Sequence, residues 1–281
     1  MTTHINLIRM PSRIIFPKLY KFRKIVEKRR REKLDTTHTV LHRCHSVAEF
    51  KVASKILTRR TRRKIEYLTK RQSECGDWFY FRKDIITGTL VKRICSNIKN
   101  HSDGSENINK AIAKKHCTKL YYPAILYGIE FEDQAISSFW EYYKKNHRGV
   151  VLQKLGLTIH KNNILGGSVD FVFKCACCNN QEFVIGEVKC PFKLKGKSIK
   201  ENFHELIYLD DSGKLNPNHT YYYQIQTYLG ILGLQKAVLV VWSSIDHLEI
   251  DVCFNAELWK EIITSSERYF YERYLSTVLE E

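Results

Sequence analysis

The spacing of hydrophobic positions changes in the middle of the chain, from a helical period to an alternating one. Residues 130–145 (EFEDQAISSFWEYYKK) repeat apolar side chains every three or four positions, which predicts an amphipathic helix. The polar, turn-rich residues 99–110 before it predict a loop. After the helix, segments 149–159, 164–174 and 182–190 are short, rich in Val, Ile and Phe, and separated by turn residues. They predict three strands.

The pattern that follows these strands predicts two further helices and two further strands. A polar stretch covers residues 193–219, and residues 221–233 have the spacing of a helix. Residues 236–242 and 247–254 predict strands, and a last helix covers about 255–277. The order helix, three strands, helix, two strands, helix predicts an α/β domain with a mixed central β-sheet flanked by helices.

Positive charge is concentrated at the start of the chain. Residues 1–70 contain 20 Lys/Arg and 5 Asp/Glu, so they hold nearly all of the net charge of +16. The charge forms two blocks, at Lys28–Lys33 and Arg59–Lys64. We therefore predict a basic N-terminal arm over residues 1–66, partly helical or disordered, followed by a globular domain over residues 67–281.

The basic arm favours a polyanionic partner, either nucleic acid or an anionic membrane surface. The sequence has no run of 18 apolar residues and no apolar segment typical of a secretory signal, so we expect neither a membrane protein nor a secreted one. Basic blocks are typical of nuclear import signals and DNA-backbone clamps. We expect the protein in the nucleus or at a viral or mobile-element replication site. The acid-free first 26 residues also fit a mitochondrial presequence, less strongly.

The nine cysteines are odd in number and irregularly spaced, which favours a reducing compartment over a disulfide framework. Cys175, Cys177 and Cys178 are close together and, with Cys190, raise the question of a zinc or iron–sulfur site. A structural zinc site commonly shows two C-x2-4-C pairs, and the second pair is missing here. Cys190 also fits the role of a small apolar residue after a strand. The sequence leaves metal binding by these cysteines open.

Candidate chemistry lies in the segments GGSVD, at 166–170, and GEVKCP, at 186–191. Glu187 and Lys189 are two positions apart on a predicted strand, so their side chains leave the same face. Asp170, on the preceding strand, can lie beside Glu187 in an antiparallel hairpin. Charges on an interior strand are costly without a partner. Either a buried Glu–Lys ion pair or a metal centre would satisfy this requirement.

A magnesium centre accounts for both carboxylates and for the lysine beside them. Mg²⁺ typically takes one or two carboxylates and completes its shell with water and substrate phosphate. Asp170, Glu187 and the backbone carbonyl of Val188 can supply three oxygens to Mg²⁺, or to Mn²⁺ in its place. Lys189 can orient a water, accept its proton or stabilise developing charge. This set predicts a metal-dependent phosphodiester hydrolase with Asp170, Glu187 and Lys189 as catalytic residues.

Several motifs recur in a fixed order along residues 68–274. They are TKRQ at 69–72, Trp78, Arg82, TGT at 87–89, GIEFEDQA at 128–135, EVKCP at 187–191 and HTYYYQIQ at 219–226. Together they resemble the motifs of the YqaJ-like viral recombinases, relatives of lambda exonuclease within the PD-(D/E)XK nucleases. The chain departs from that family at Ser168-Val169-Asp170-Phe171, where Ser-Pro-Asp-Gly is usual, and at Thr89, which replaces a serine. Neither change removes a ligand.

The resemblance implies a restriction-endonuclease-like core and an exonuclease that degrades linear double-stranded DNA from 5′ ends in recombination or repair. It implies that Glu132 and Gln226 belong to the catalytic site, and that Arg82, Thr89 and Gln224 bind DNA or its 5′-phosphate. It also implies a ring-like homotrimer and a single-strand annealing protein as partner. Two alternatives stay open: a structure-specific or nicking endonuclease with the same centre, and a catalytically silent DNA-end-binding protein.

Overall fold

A computed structural model describes residues 34–101, 106–113, 122–178 and 182–279. The chain divides into two compact units, Met1–Asp35 and Thr36–Glu281. The basic block Lys28–Lys33 lies outside the described residues, so the fold below is that of the second unit. Among its described helices, none has an apolar stretch of the length needed to span a membrane.

The strands of this unit form two sheets. In chain order they are β1 (Ile86–Thr87), β2 (Val151–Gln153), β3 (Thr158–Ile159), β4 (Leu165–Gly167), β5 (Phe171–Lys174), β6 (Val184–Lys189), β7 (Lys236–Trp242) and β8 (His247–Cys253). The central sheet has the order β2-β5-β6-β7-β8, and a small sheet has the order β1-β4-β3. In the central sheet β6 and β7 are parallel and the other neighbours are antiparallel. The predicted mixed sheet is confirmed.

Helices cover the sheets and form the N- and C-terminal parts of the unit. They are α1 (Thr37–Leu41), α2 (Val47–Ala53), α3 (Arg59–Leu68), α4 (Gly76–Phe81), α5 (Gly88–Lys99), α6 (Glu106–Ala113), α7 (Pro123–Asn146), α8 (Ile199–Asn202), α9 (Thr220–Leu232), α10 (Ala256–Tyr269) and α11 (Leu275–Leu279). A π-helical turn, Phe270–Tyr274, joins α10 to α11. Helix α6 begins inside the segment predicted as a loop.

Side chains alternate across the central sheet and pack against a helix on each face. Val238 and Val240 of β7 lie in a cluster with Phe139 of α7. Leu239 of the same strand lies in a second cluster with Ile225 of α9. Because both faces are covered, the inner strands are almost continuously apolar. A charged side chain on β6 therefore lies in the interior, between sheet and helix.

Helices that the sequence assigned to the basic arm belong to the compact unit. Leu41 and Phe50 are fully buried in a cluster that includes residues of α5 and α10, and Ile65 of α3 is 1% exposed. Arg62 donates to the side chain of Asn163 at 2.9 Å. The unit thus begins at Thr36 and not at residue 67. The predicted boundary is too late because the dense charge of this segment conceals its few core positions.

Two of the predicted strands are each divided between the two sheets. Segment 149–159 contains β2 and β3, and segment 164–174 contains β4 and β5. Between β2 and β3 the backbone turns to the end of α3, where Gly156 donates to Glu66 and Leu157 donates to Thr69 Oγ1. These hydrogen bonds replace strand pairing at that point, so the apolar segment 149–159 contributes one strand to each of the two sheets.

Asp84 links the N-terminal and C-terminal helices of the unit. Its buried carboxylate accepts from His38 Nδ1 at 2.5 Å and from the Tyr274 hydroxyl, and His42 Nε2 lies 3.6 Å away. Burial opposes ionisation, but the hydrogen bonds from His38, His42 and Tyr274 outweigh it and lower the pKa of Asp84 to about 2. The carboxylate is therefore ionised at neutral and mildly acidic pH.

We expect Asp84→Asn to lower the free energy of unfolding by about 2 kcal/mol near neutral pH. Since the native pKa of Asp84 is depressed, its contribution is present above the unfolded-state pKa and disappears as pH falls towards 2. Asn tolerates the positive φ of 57° found here. Urea unfolding at a series of pH values measures the difference. Asp211→Asn, at an exposed carboxylate, is the control, and a pH-independent difference at Asp84 would contradict this account.

Candidate active site

Glu187 and Lys189 emerge from the same face of β6 into the layer between the sheet and α9. The Glu187 side chain is 3% exposed, and its Oε1 accepts from Lys189 Nζ at 2.6 Å and from Gln224 Nε2 at 2.7 Å. Its other oxygen, Oε2, is buried and has no hydrogen-bond partner among the described residues. Burying a carboxylate oxygen without a partner costs free energy, so a ligand bound to this atom would stabilise the site.

Asp170 enters the site from the residue just before β5. The antiparallel register pairs Phe171 with Gly186, which puts Asp170 across from Glu187. Its Oδ2 accepts from the backbone N–H of Val188 at 2.7 Å, so the carboxylate has a fixed orientation. The sequence-predicted acid from the first strand and the acid from the second thus lie side by side.

Glu132 of α7 brings a third carboxylate to the group. Burial and the neighbouring charge of Asp170 raise the pKa of Glu132 to about 7, and the same two causes raise the pKa of Glu187 to about 8. Burial also raises the pKa of Asp170, although Lys189 opposes this shift. Burial disfavours the Lys189 ammonium, but Glu187 and Asp170 more than compensate and raise its pKa. The acids lie close enough to resist full ionisation by themselves.

An open pocket of about 380 Å³ gives access to this group. Glu132, Lys189 and Cys190 line it together with Tyr208 and Tyr221. The Lys189 ammonium lies 4.8 Å from the centre of the Tyr221 ring, a cation–π contact that holds it at the pocket wall. The charged centre is therefore buried within the protein yet reachable from outside.

The residues present fit a hard divalent cation. A scaffold ion pair needs a single carboxylate for Lys189, whereas Asp170, Glu187 and Glu132 all converge here and repel one another. Oxygen donors of this kind suit Mg²⁺ or Mn²⁺. Such an ion would satisfy Glu187 Oε2, which has no hydrogen-bond partner in the described part of the chain. The ion pair between Glu187 and Lys189 is present, but it neutralises only one of the three carboxylates.

Gln224 and Gln226 lie on different sides of α9 and have different contacts. Gln224 donates to Glu187 Oε1 and to the Tyr228 hydroxyl. Gln226 instead donates to the carbonyl of Cys253 and accepts from the N–H of Asn255, both at 2.8 Å. Helix residues two positions apart point about 200° from each other, so they do not share a site. The structure does not bring Gln226 to the catalytic group, and Gln224 supports Glu187 directly.

We expect alanine at these two glutamines to separate activity from stability. Gln224→Ala removes a hydrogen bond to a charged carboxylate and should lower the nuclease rate by about tenfold or more. Gln226→Ala removes a fully buried amide that pairs with the Cys253 carbonyl and the Asn255 N–H, so it should cost about 1–3 kcal/mol of stability with an unchanged rate per folded molecule. Steady-state rates and urea unfolding on both proteins make the comparison. Equal losses of rate in the two variants would indicate that Gln226 also acts in the active site.

Arg82 and Thr89 are connected to the catalytic group through neighbouring residues. The Arg82 guanidinium stacks over the Trp78 ring at 3.7 Å, and Trp78 Nε1 donates to Ser168 Oγ at 2.8 Å, two residues before Asp170. Thr89 is exposed in the first turn of α5. A Cβ at Gly88 would lie 3.2 Å from Gln224 Cγ, so this helix begins next to the glutamine that holds Glu187.

Three further side chains, which are not among the predicted site residues, position the site. Gln72, in the TKRQ motif, donates to the carbonyl of Val169 at 2.8 Å and so holds the backbone next to Asp170. Tyr228 holds Gln224 through its hydroxyl, and its ring occupies the space where Gly167 would carry a Cβ, 2.2 Å away. Ser168 anchors Trp78. The motif spacing indicated Gln72 and Gly167 as conspicuous positions, but only the fold shows what they contact.

Known proteins share both this family and this fold. Residues 77–235, more than half of the chain, match the YqaJ-like viral recombinase domain. No curated protein matches significantly. An alkaline exonuclease (LHK-Exo) from Laribacter hongkongensis is similar in structure, with 20% identity and a TM-score of 0.53 over 73% of this chain and 94% of that one.

Two further structures carry nucleic acid. A SOX–DNA complex has 13% identity and a TM-score of 0.54, and it covers 83% of this chain and 76% of that chain. An RNA complex of KSHV SOX has 12% identity and a TM-score of 0.52, with 83% and 78% covered. At these identities the likeness shows the fold, and the predicted fold class is confirmed. The chain belongs to the YqaJ-like viral recombinase family and has the fold of the lambda-exonuclease-like nucleases.

Proposed function

We propose that this protein is a divalent-metal-dependent exonuclease that hydrolyses linear double-stranded DNA from its 5′ ends. The observation that carries the proposal is the convergence of Asp170, Glu187 and Glu132 beside Lys189, next to a pocket that Glu132 and Lys189 line. One Glu187 oxygen there has no hydrogen-bond partner among the described residues. Family membership and the exonuclease-like fold support it. Mg²⁺ is the expected ion, and Mn²⁺ is expected to replace it.

Each residue of the centre has a distinct part in the reaction. Asp170, Glu187 and the Val188 carbonyl would hold the ion, with Glu132 completing the acidic group. When bound, the ion supplies Lewis-acid stabilisation of phosphate charge and acidifies the attacking water. Lys189 lies next to Glu187, where its ammonium can orient the water and stabilise charge on the scissile phosphate. Gln224 keeps Glu187 in place.

The beginning of α5 and the neighbouring Arg82 are suited to a terminal 5′-phosphate. Backbone N–H groups at the start of a helix attract phosphate. The preceding residue, Thr87, makes no side-chain capping bond, and the exposed Thr89 adds a hydroxyl. An arginine fork binds phosphate in a bidentate, charge-assisted manner. Together these groups would hold the end of one strand while the scissile bond lies at the acidic group.

A nuclease assay on end-labelled linear duplex tests the proposal. Purified protein is incubated with the DNA in Mg²⁺, in Mn²⁺ and in EDTA, and the products are separated by size. We expect label release with either ion and none in EDTA, and no release by Glu187→Gln under any condition. DNA that stays intact in both ions would favour a silent end-binding protein, and metal-independent cutting would remove the metal centre from the mechanism.

The basic residues at the start of the chain are proposed to contact the DNA backbone. Residues 1–35 carry eleven Lys/Arg against three Asp/Glu. On α3, Arg59, Arg60, Arg63 and Lys64 are exposed, whereas Arg62 is held by Asn163. These charges can supply sequence-independent affinity through the release of counterions.

We expect deletion of residues 1–35, which form a separate unit, to weaken DNA binding and to flatten its salt dependence. The log–log salt slope should fall by about 0.9 for each phosphate that the shortened protein no longer neutralises. Anisotropy of a labelled duplex at several salt concentrations measures both quantities, and glutamine at Arg59, Arg60, Arg63 and Lys64 provides the matched comparison on α3. The rate at saturating DNA should survive the deletion. An unchanged slope would show that residues 1–35 do not bind the backbone.

A further inference from the structure

The structure brings a histidine to the cysteine cluster that the sequence left unassigned. Cys175, Cys177 and Cys178 follow β5 directly, and His147 directly follows the last residue of α7. One ring nitrogen of His147 and the three sulfurs all lie within 4.8 Å of one another. Cys190, the fourth cysteine considered from sequence, belongs instead to the wall of the active-site pocket. The three cysteines and one imidazole from a distant segment thus make up four ligands, without the second C-x2-4-C pair.

We propose that His147, Cys175, Cys177 and Cys178 form a structural zinc site. Three thiolates and one imidazole are a known tetrahedral donor set for Zn²⁺ and are too soft for Mg²⁺. With zinc–ligand bonds of about 2.3 and 2.1 Å, a tetrahedron has N···S edges of about 3.6 Å. The distances from His147 Nδ1 are 3.5 Å to Cys177 Sγ and 3.4 Å to Cys178 Sγ.

The surrounding backbone holds these ligands in place. Arg148 N–H donates to the Cys177 sulfur at 3.2 Å, and Ala176 N–H donates to the Arg148 carbonyl at 2.9 Å. Gly149 has φ 61°, and a Cβ on it would lie 2.6 Å from the Cβ of Ala176, so the two chain segments can cross this closely only with glycine. These contacts join the His147 segment to the cysteine turn.

The imidazole is also oriented from the helix side. The Tyr143 ring, one turn earlier on α7, stacks on His147 with centroids 4.0 Å apart and planes 17° apart. Tyr143 itself packs edge-on against Phe173 of β5. Ligands that converge this tightly suit a single ion, because the ligands of an iron–sulfur cluster bind separate irons.

Zinc at this place would connect two elements that position acids of the active site. Helix α7 carries Glu132, and β5 follows Asp170. The bound ion would connect the C-terminal end of the helix to the end of the strand. It would therefore stabilise the fold and the spacing of the two carboxylates, without taking part in the reaction.

Metal analysis of the full-length protein, purified without chelator, tests this site. We expect about one zinc per chain in the wild type, released by an organomercurial that blocks thiols. The variants Cys177→Ser, Cys178→Ser and His147→Ala should lose the zinc. Cys253→Ser and His204→Ala, at exposed positions outside the cluster, should keep it, and so should Glu187→Gln.

Cobalt substitution provides a readout that does not depend on the variants. The wild type loaded with Co²⁺ should show thiolate-to-cobalt charge transfer and the intense visible bands of a four-coordinate ion. A wild type that contains no zinc and shows no such spectrum overturns the proposal, even if the variants fail to fold. Zinc retained by both Cys177→Ser and His147→Ala overturns it too.

Discussion

Alanine at Asp170, Glu187 or Lys189 is expected to lower the nuclease rate by ~10²-fold or more, the usual cost of losing a metal ligand or a proton-transfer group. The first two substitutions remove oxygens from the acidic group. The third removes the ammonium in contact with Glu187. DNA binding should persist, because the basic surface of α3 is distant in sequence and is not changed. Rates at saturating linear duplex, together with binding measured without metal, check both statements.

Substitution of Glu132 distinguishes a metal centre from a simple Glu187–Lys189 ion pair through the thermal stability of the protein with and without metal. Burial and Asp170 raise its pKa to about 7, so its ionised form is unfavourable in the metal-free protein. Glu132→Gln should therefore raise the melting temperature without metal, reduce the further rise that Mn²⁺ produces, and slow the reaction. Glu130→Gln, at an exposed glutamate on the same helix, is the matched control. A wild-type rate for Glu187→Ala, or no thermal response to Mn²⁺ in the wild type, would contradict the assigned centre.

The order of elements and the catalytic strand could be predicted from sequence because periodicity and spacing are local. The period-two placement of Glu187 and Lys189 on β6 needs only the strand geometry. Helix α9, predicted at 221–233, spans Thr220–Leu232. The division of 149–159 into two strands could not be predicted, because it depends on hydrogen bonds from Gly156 and Leu157 to the distant α3.

Contacts between distant segments explain the remaining differences. The resemblance implied a catalytic role for Gln226 and a DNA-binding role for Gln224, but the rotation of α9 points Gln224 to Glu187 and Gln226 to the Cys253 carbonyl. The cysteine cluster lacked a fourth ligand in sequence, because His147 lies 28 residues before Cys175 and meets it only through the β2–β5 pairing. Phe50 is a core residue in a highly charged segment, and its partner Phe270 lies near the other end of the chain. None of these pairs has a local pattern.

A linear duplex with a 5′-phosphate is expected to be degraded about tenfold faster than the same duplex with a 5′-hydroxyl, since an Arg–phosphate contact is charge-assisted and fixes the strand end. Covalently closed circular duplex should resist cleavage almost completely, because it offers no end. This expectation rests on the position of Arg82, whose guanidinium stacks on the Trp78 ring. The Trp78 indole in turn donates a hydrogen bond to Ser168, two residues before Asp170. A time course on the three DNAs at one Mg²⁺ concentration gives all the rates.

Variants of the proposed phosphate site then show whether it causes the preference. Arg82→Lys keeps a positive charge but loses the planar fork, so most of the preference for the 5′-phosphate should disappear, as it should in Arg82→Gln. Thr89→Ala should reduce the preference by less, because it removes a single neutral hydrogen bond. Lys83→Gln removes a neighbouring charge and should leave the preference intact, and thermal stabilisation by Mn²⁺ should be unchanged in all four variants. Efficient cutting of the closed circle would instead establish an endonuclease, with the centre at Asp170, Glu187 and Lys189 retained and the role of Arg82 limited to general DNA binding.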